Sequence, residues 1–288
     1  MIKDFKADLN GRLVLVTGAG RGIGKAIALA FAKAGASLAI LGKNPERLSN
    51  TALELGEISQ KPVFYRACDI SSESEILNFL AELRANCGSV QILVNNAGIY
   101  KSHPVIAHPS KLWQELIDTN LTSAFIFSRE LAGAMVEEGF GRIINISSVS
   151  GKTAESNASA YSVSKFGMIA LTQSLALELS RTAVTVNAIC PGWVDTEMAG
   201  EQFASSEFKE QNKVVNLSAI QACEEELSEP FFAESSSQIS AREIARLSVP
   251  QERLIDASEV ADLALYLSTQ SARGITGQAI NVCGGLSL

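Results

Sequence analysis

Seven short apolar runs, separated by helical stretches, constrain the fold of this chain more than any other feature. RLVLVTG (12–18), SLAILG (37–42), VFYRACD (63–69), QILVNNAG (91–98), RIINISS (142–148), VTVNAICPG (184–192) and QAINVCGG (278–285) have the length and composition of buried strands. Between them runs helical periodicity. In GIGKAIALAFAKAG, Ile23, Ile27 and Phe31 stand four apart on one stripe, and the pattern stops at Gly35. In NPERLSNTALELGEI, Asn44 opens a helix with Pro45 in its first turn. Strand and helix in alternation predict an α/β fold: one Rossmann-type, doubly wound parallel sheet of about seven strands with helices on both faces. The chain has 288 residues, 47% of them hydrophobic, enough for one large domain over 1–288.

Residues 197–250 break the rhythm. They hold no convincing strand, and between Gly200 and Ser235 there are eight acidic residues against two lysines. Phe203, Phe208, Val214, Val215, Leu217, Ile220, Leu227, Phe231 and Phe232 thread through the stretch. A helical insertion before the last strand is expected there, placed to act as a lid over the strand ends where open α/β sheets bind ligands.

The formal net charge of −7 argues against a nucleic-acid or membrane surface as partner, since both are anionic. No apolar run approaches the ~20 residues needed to span a bilayer. The opening residues lack the apolar stretch of a secretory leader. The five cysteines (68, 87, 190, 223, 283) are scattered, and no CxxC occurs. A cytoplasmic protein with reduced thiols is the expectation. Two histidines, His103 and His108, are too few for a histidine-rich metal site, and no metal is expected.

TGAGRGIG (17–24) joins the first strand to the first helix. Gly18 permits the tight turn, Gly22 lets the backbone approach a pyrophosphate, and Gly24 allows close helix packing. The helix N-terminus then presents free N–H groups and the positive end of its dipole. Further along, NASAYSVSKFGM (157–168) places Lys165 four residues after Tyr161, on one helical face. A phenol loses its proton near pH ~10, and a neighbouring cation favours the phenolate. The pair is a candidate acid/base device.

The glycine spacing, Gly-x-x-x-Gly-x-Gly after Thr17, resembles the cofactor motif of the short-chain dehydrogenase/reductase family. NNAG (95–98), Asn120 in DTNLTSAF, Ser148 in INISSVSG thirteen residues before Tyr161, YSVSK, CPGWVDT (190–196) and ITGQAINVCGG (275–285) resemble its other motifs in the same order. The likeness covers nearly the whole chain except about 200–250. It implies hydride transfer between a nicotinamide and a carbonyl or alcohol carbon. Tyr161 would be the general acid or base. Lys165 would lower the phenol's pKa and hold ribose hydroxyls. Ser148 would bond the substrate oxygen, with Ser147 a less well-spaced competitor, and Asn120 would hold a water beside Lys165. The implied cofactor contacts are Gly18, Arg21, Gly22, Ile23, Gly24, Lys43, Asp69, Asn96, Ala97, Gly98, Tyr161, Lys165, Pro191, Gly192, Val194 and Thr196.

At the end of the second strand an acid would select NAD(H). Gly42 stands there instead, followed by Lys43, with Arg21 nearby. Two cations and no acid suit a 2′-phosphate, so NADP(H) is expected. INVCGGLSL resembles the ending of ketoreductases acting on β-ketoacyl or polyketide intermediates, although an acidic carrier protein would be repelled by the acidic segment. A carbonyl or secondary alcohol is the expected small-molecule substrate, with Ile99, Tyr100, Ser150, Trp193 and the lid as pocket wall. An NAD-dependent catabolic alcohol dehydrogenase of the same family and a catalytically silent cofactor-binding scaffold or sensor are the other readings. The helix after Tyr161 is apolar on more than one side (Val163, Phe166, Met168, Ile169, Leu171, Leu175). A homodimer or homotetramer is therefore expected.

Overall fold

The structure, a computed structural model, describes residues 7–204 and 240–287. Seven strands form one sheet in the order β3-β2-β1-β4-β5-β6-β7. They are β1 (Leu13–Thr17), β2 (Ser37–Gly42), β3 (Phe64–Ala67), β4 (Ile92–Asn95), β5 (Gly141–Ile146), β6 (Val184–Pro191) and β7 (Ala279–Val282), and every pairing is parallel. Each expected strand is present, β2 with the expected bounds and the others shortened at one or both ends. The strand order reverses between β1 and β4, which opens a crevice at their carboxyl ends.

Burial explains the strand sequences. Every residue of β1, β4, β5 and β6 is buried, so these runs are apolar on both faces, whereas the edge strands β3 and β7 are only partly covered. Alternate residues enter opposite layers. Val14 and Val16 join the cluster containing Ile27, Phe31 and Val260; Leu13 and Leu15 join the one containing Phe79, Phe127 and Ile143.

Helices α1 (Gly22–Lys33), α2 (Pro45–Ser59), α3 (Glu73–Cys87), α4 (Ser110–Ile117), α5 (Ser123–Glu137), α6 (Ser159–Glu178), α7 (Glu197–Ala204), α8 (Ala241–Leu247) and α9 (Ala257–Leu267) connect the strands. Gly35, at φ +84°, takes the left-handed turn that carries the chain from α1 towards β2. Asn44 caps α2 by accepting from Arg47 N at 2.9 Å, with Pro45 first in the helix. Of the expected insertion, α7 and α8 bracket its two ends. Ala199 and Phe203 on α7 pack with Ala245 on α8 and with Trp193 and Leu254. Phe208, Val214, Val215, Leu217, Ile220, Leu227, Phe231 and Phe232 lie outside the described residues, as does Cys223. No helix among the described residues is long and apolar enough to cross a membrane.

Candidate active site

A cleft of about 740 Å³ opens at the carboxyl ends of the strands. It runs from the glycine turn, past β2 and β4, to Ser148, Tyr161 and Trp193. Gly18 has φ +67°, and a Cβ there would stand 2.8 Å from Ala97 Cα. A methyl on Gly24 would collide with Asn96 Nδ2 and the Gly18 carbonyl. The turn is thus packed directly against the segment after β4. Thr17 fastens the two: its Oγ1 accepts from Asn96 N and Ala97 N, each at 2.9 Å, while Asn96 Nδ2 donates to Thr17 O at 2.8 Å. α1 starts at Gly22 with no side chain capping it, leaving its first N–H groups for an anion.

Cations gather at the β2 end of the cleft. Lys43 Nζ lies 2.9 Å from Asp69 Oδ2. Burial pushes the Asp69 carboxyl up, but hydrogen bonds from Ser71 and Lys43 outweigh it and hold it below the usual carboxylate range. Arg21 Nη1 meets Glu197 Oε2 at 3.1 Å and Glu201 Oε1 at 2.7 Å, and Arg47 Nη1 meets the same Glu197 oxygen at 2.9 Å. Arg47 was not among the sequence candidates. Its signal was its place in the first turn of α2, three residues after the cap. Every expected cofactor contact lines the cleft except Asp69, whose neighbours Cys68 and Ile70 do.

At the other end, three elements converge. Ser148 follows β5 and opens a 3₁₀ turn (Val149–Gly151), accepting from Ser150 N at 3.1 Å and donating to Ser150 Oγ at 3.0 Å. Ser147 is committed elsewhere, since its hydroxyl donates to Lys165 O at 2.9 Å. Tyr161 stands in the first turn of α6, its ring edge-on to Tyr100 at 4.9 Å between centroids. Burial pushes its phenol above the ordinary value; a hydrogen bond with Ser148 pulls it back, and nearby Glu155 and Tyr100 push it up again. In the protein alone, therefore, the phenol is not depressed by Lys165. Burial of both groups prevails.

Lys165 is almost wholly buried, donates to Ile146 O at 2.9 Å, and sits 5.6 Å from the centre of the Tyr161 ring. Burial lowers its pKa from 10.5 to about 8. Asn120 lies in a π-helical turn (Asp118–Thr122) between α4 and α5. Its amide accepts from Ile99 N at 2.8 Å and donates to Ile99 O at 2.9 Å and to Ser164 Oγ at 3.1 Å, so it pins the loop above the cleft to α6. Beneath the site, Asn95 Nδ2 donates to Asn145 Oδ1 and Asn145 Nδ2 to Thr172 Oγ1, both at 2.8 Å. This buried chain ties β4 to β5 and β5 to α6.

Ile99, Tyr100, Ser150 and Trp193 line the cleft as expected. Trp193 packs against Phe203 of α7, ring centroids 5.3 Å apart. His103 does not line it; its ring lies against His108 at 5.6 Å. Glu155 was missed. The only hint was one acid in the small-residue run TAES (153–156). Among the described residues no group of three or more His, Cys, Asp or Glu side chains is placed to hold a metal ion.

Two features suit a nicotinamide dinucleotide. The first is the uncapped helix start at the glycine turn. The second is the buried Lys165 ammonium, which has one acceptor and no carboxylate beside it among the described residues, leaving donors for ribose hydroxyls.

A family model for short chain dehydrogenases matches residues 12–207. A variant of actinorhodin polyketide ketoreductase, solved with NADPH, is 36% identical with a TM-score of 0.79, covering 96% of this chain and 97% of that one. A 3-oxoacyl-(acyl-carrier-protein) reductase of Aquifex aeolicus is 32% identical over 96% of this chain and 98% of its own length. A D-beta-hydroxybutyrate dehydrogenase of Cupriavidus necator is 33% identical over 96% and 98%. Matched from the first strand past the sixth and aligned almost end to end with its members, the chain belongs to the short-chain dehydrogenase/reductase family, oxidoreductases that act on CH–OH groups.

Proposed function

We propose that the chain reduces a ketone of the 3-oxoacyl type to a secondary alcohol with NADP(H), Tyr161 supplying the proton. The observation that carries this reading is the convergence of Ser148, Tyr161 and Lys165 on one wall of a cleft whose far end is a glycine turn ringed by cations. Bound there, the cofactor supplies or accepts the hydride. The chain's own residues do the rest. Ser148 positions the substrate oxygen beside the Tyr161 hydroxyl and stabilises charge developing on it. Tyr161 gives its proton to that oxygen. Lys165 favours the phenolate left behind, and Asn120 keeps the overlying loop seated and leaves one amide lone pair for a water beside Lys165. α7, the described start of the expected lid, lines the cleft through Met198, Ala199 and Gln202.

Three cations at the β2 end support the NADP(H) choice. Their present partners are exposed carboxylates, and such solvent-screened pairs are weak. A dianionic 2′-phosphate can displace them. Fluorescence titration is expected to show NADPH binding about tenfold or more tighter than NADH, read through quenching of Trp193. Affinity for either cofactor should also fall as pH rises through about 8, where Lys165 loses its proton. NADH binding tighter than NADPH would move the assignment to the NAD-dependent alcohol dehydrogenase, and cofactor binding without turnover of any ketone would favour the silent scaffold.

The assembly proposed is a homodimer or homotetramer. α5 and α6 expose Phe125, Val163 and Phe166, an apolar face unusual for a free surface. Size-exclusion chromatography with light scattering should give a mass at least twice that of the chain. Val163→Asp with Phe166→Asp should bring it down to the monomer, and a monomeric wild type would overturn the assignment.

A further inference from the structure

Glu155 occupies the substrate side of the cleft, in the loop between the 3₁₀ turn after Ser148 and α6. Its carboxylate accepts from the Ser150 hydroxyl and from the Tyr100 phenol. Ser150 in turn receives the hydrogen of Ser148, and Tyr100 packs edge-on against Tyr161. A carboxylate therefore stands two hydrogen bonds from Ser148 Oγ and one ring from the proton donor. It is half-buried, no cation among the described residues forms a salt bridge with it, and burial raises its pKa. Two neutral donors fill only part of its acceptor capacity. Nothing in the proposed proton transfer uses it.

We propose that Glu155 is the specificity-determining residue of the pocket, selecting ketones that carry a hydroxyl near the reacting carbonyl and rejecting those that carry a carboxylate there. The proposal rests on the reading of the site as a ketone reductase and names its substrate class. An arriving hydroxyl would complete the carboxylate's hydrogen bonding. An arriving anion would face a like charge in a partly desolvated cleft, where repulsion is several times stronger than in water. A 3-oxoacyl ester or thioester, uncharged beside its ketone, is admitted, and a free 3-oxo acid is not.

The test uses three methyl ketones that differ in this group: 4-hydroxybutan-2-one, methyl acetoacetate and acetoacetate. With NADPH, wild-type kcat/KM should fall in that order, acetoacetate standing about tenfold or more below its ester. Glu155→Gln should close the gap between acetoacetate and its ester by about tenfold. Glu155→Asp, which keeps the charge, should preserve the gap to within about threefold. A loss of packing would slow all three ketones alike and leave the ratios unmoved. The unreactive pair of 3-hydroxybutyrate and its methyl ester, titrated into the NADPH complex, should show the same discrimination in dissociation constants. An unchanged ratio in Glu155→Gln, or a wild type indifferent to the carboxylate, overturns the proposal. A wild type that binds NADPH yet reduces none of the ketones overturns the reductase reading instead, and the unreactive pair still measures what Glu155 does.

Discussion

Tyr161→Phe is expected to lower kcat by about 10²–10⁴-fold, the range that a positioned acid or base supplies, while cofactor affinity stays within about threefold of wild type. The change removes one oxygen and keeps the ring. The edge-on contact with Tyr100 at 4.9 Å and the packing of the first turn of α6 need only the ring, so the cleft keeps its shape. The proton is lost, along with the hydroxyl partner of Ser148. Steady-state rates paired with a fluorescence titration separate the two effects. If the variant kept kcat within about tenfold of wild type, Tyr161 would not be the proton donor, and Ser148 or a water would have to replace it.

Lys165→Met is expected to abolish most turnover and weaken cofactor binding, yet leave the fold at least as stable as wild type near pH 7. Burial lowers the folded-state pKa of Lys165 from 10.5 to about 8, so holding the ammonium inside the protein below pH 8 costs roughly 3 kcal/mol. Methionine fills similar space without charge. Against this stands the hydrogen bond to Ile146 O, whose loss costs ~1–3 kcal/mol. The sign of the pH dependence follows from the proton count. Between about pH 8 and 10.5 the unfolded chain holds the lysine proton and the folded one does not. The lysine's contribution to stability therefore rises with pH across that window. Urea unfolding at several pH values should show this rise in wild type and its absence in Lys165→Met. A variant much less stable than wild type at pH 7 would mean that the lysine is there for packing.

The pattern of strands was legible because each run is short, apolar and bounded by a turn, and burial on both faces leaves little room for other residues. The glycine turn and the Tyr161–Lys165 spacing were legible because both depend on neighbours within one turn of chain. Ser148 rested on its distance from Tyr161 and on likeness to a family. What escaped depends on contacts between distant parts of the sequence. Arg47 reads as a solvated helix residue until Glu197 is brought beside it from after β6. Glu155 reads as a loop acid until the 3₁₀ turn and Tyr100 fold over it. The π turn around Asn120 has no local periodicity that a helix reading would detect, and the bonds it sets up reach Ile99, twenty-one residues earlier.

The buried amide chain beneath the site has a mechanical consequence. Apolar side chains alone hold a helix against a sheet with considerable freedom to slide, because dispersion contacts are short-ranged but not directional. Asn145 to Thr172, Ser147 to the Lys165 carbonyl, and Lys165 to the Ile146 carbonyl act as dowels along α6, each fixing its axial position against β5. A shift by one helical residue, ~1.5 Å, would break all three. A productive site tolerates errors of only ~0.5 Å. The tolerance within which Tyr161 meets Ser148 is therefore machined by residues of which Asn145 and Thr172 lie outside the cleft, and loosening them would blur the site without altering one group that touches substrate.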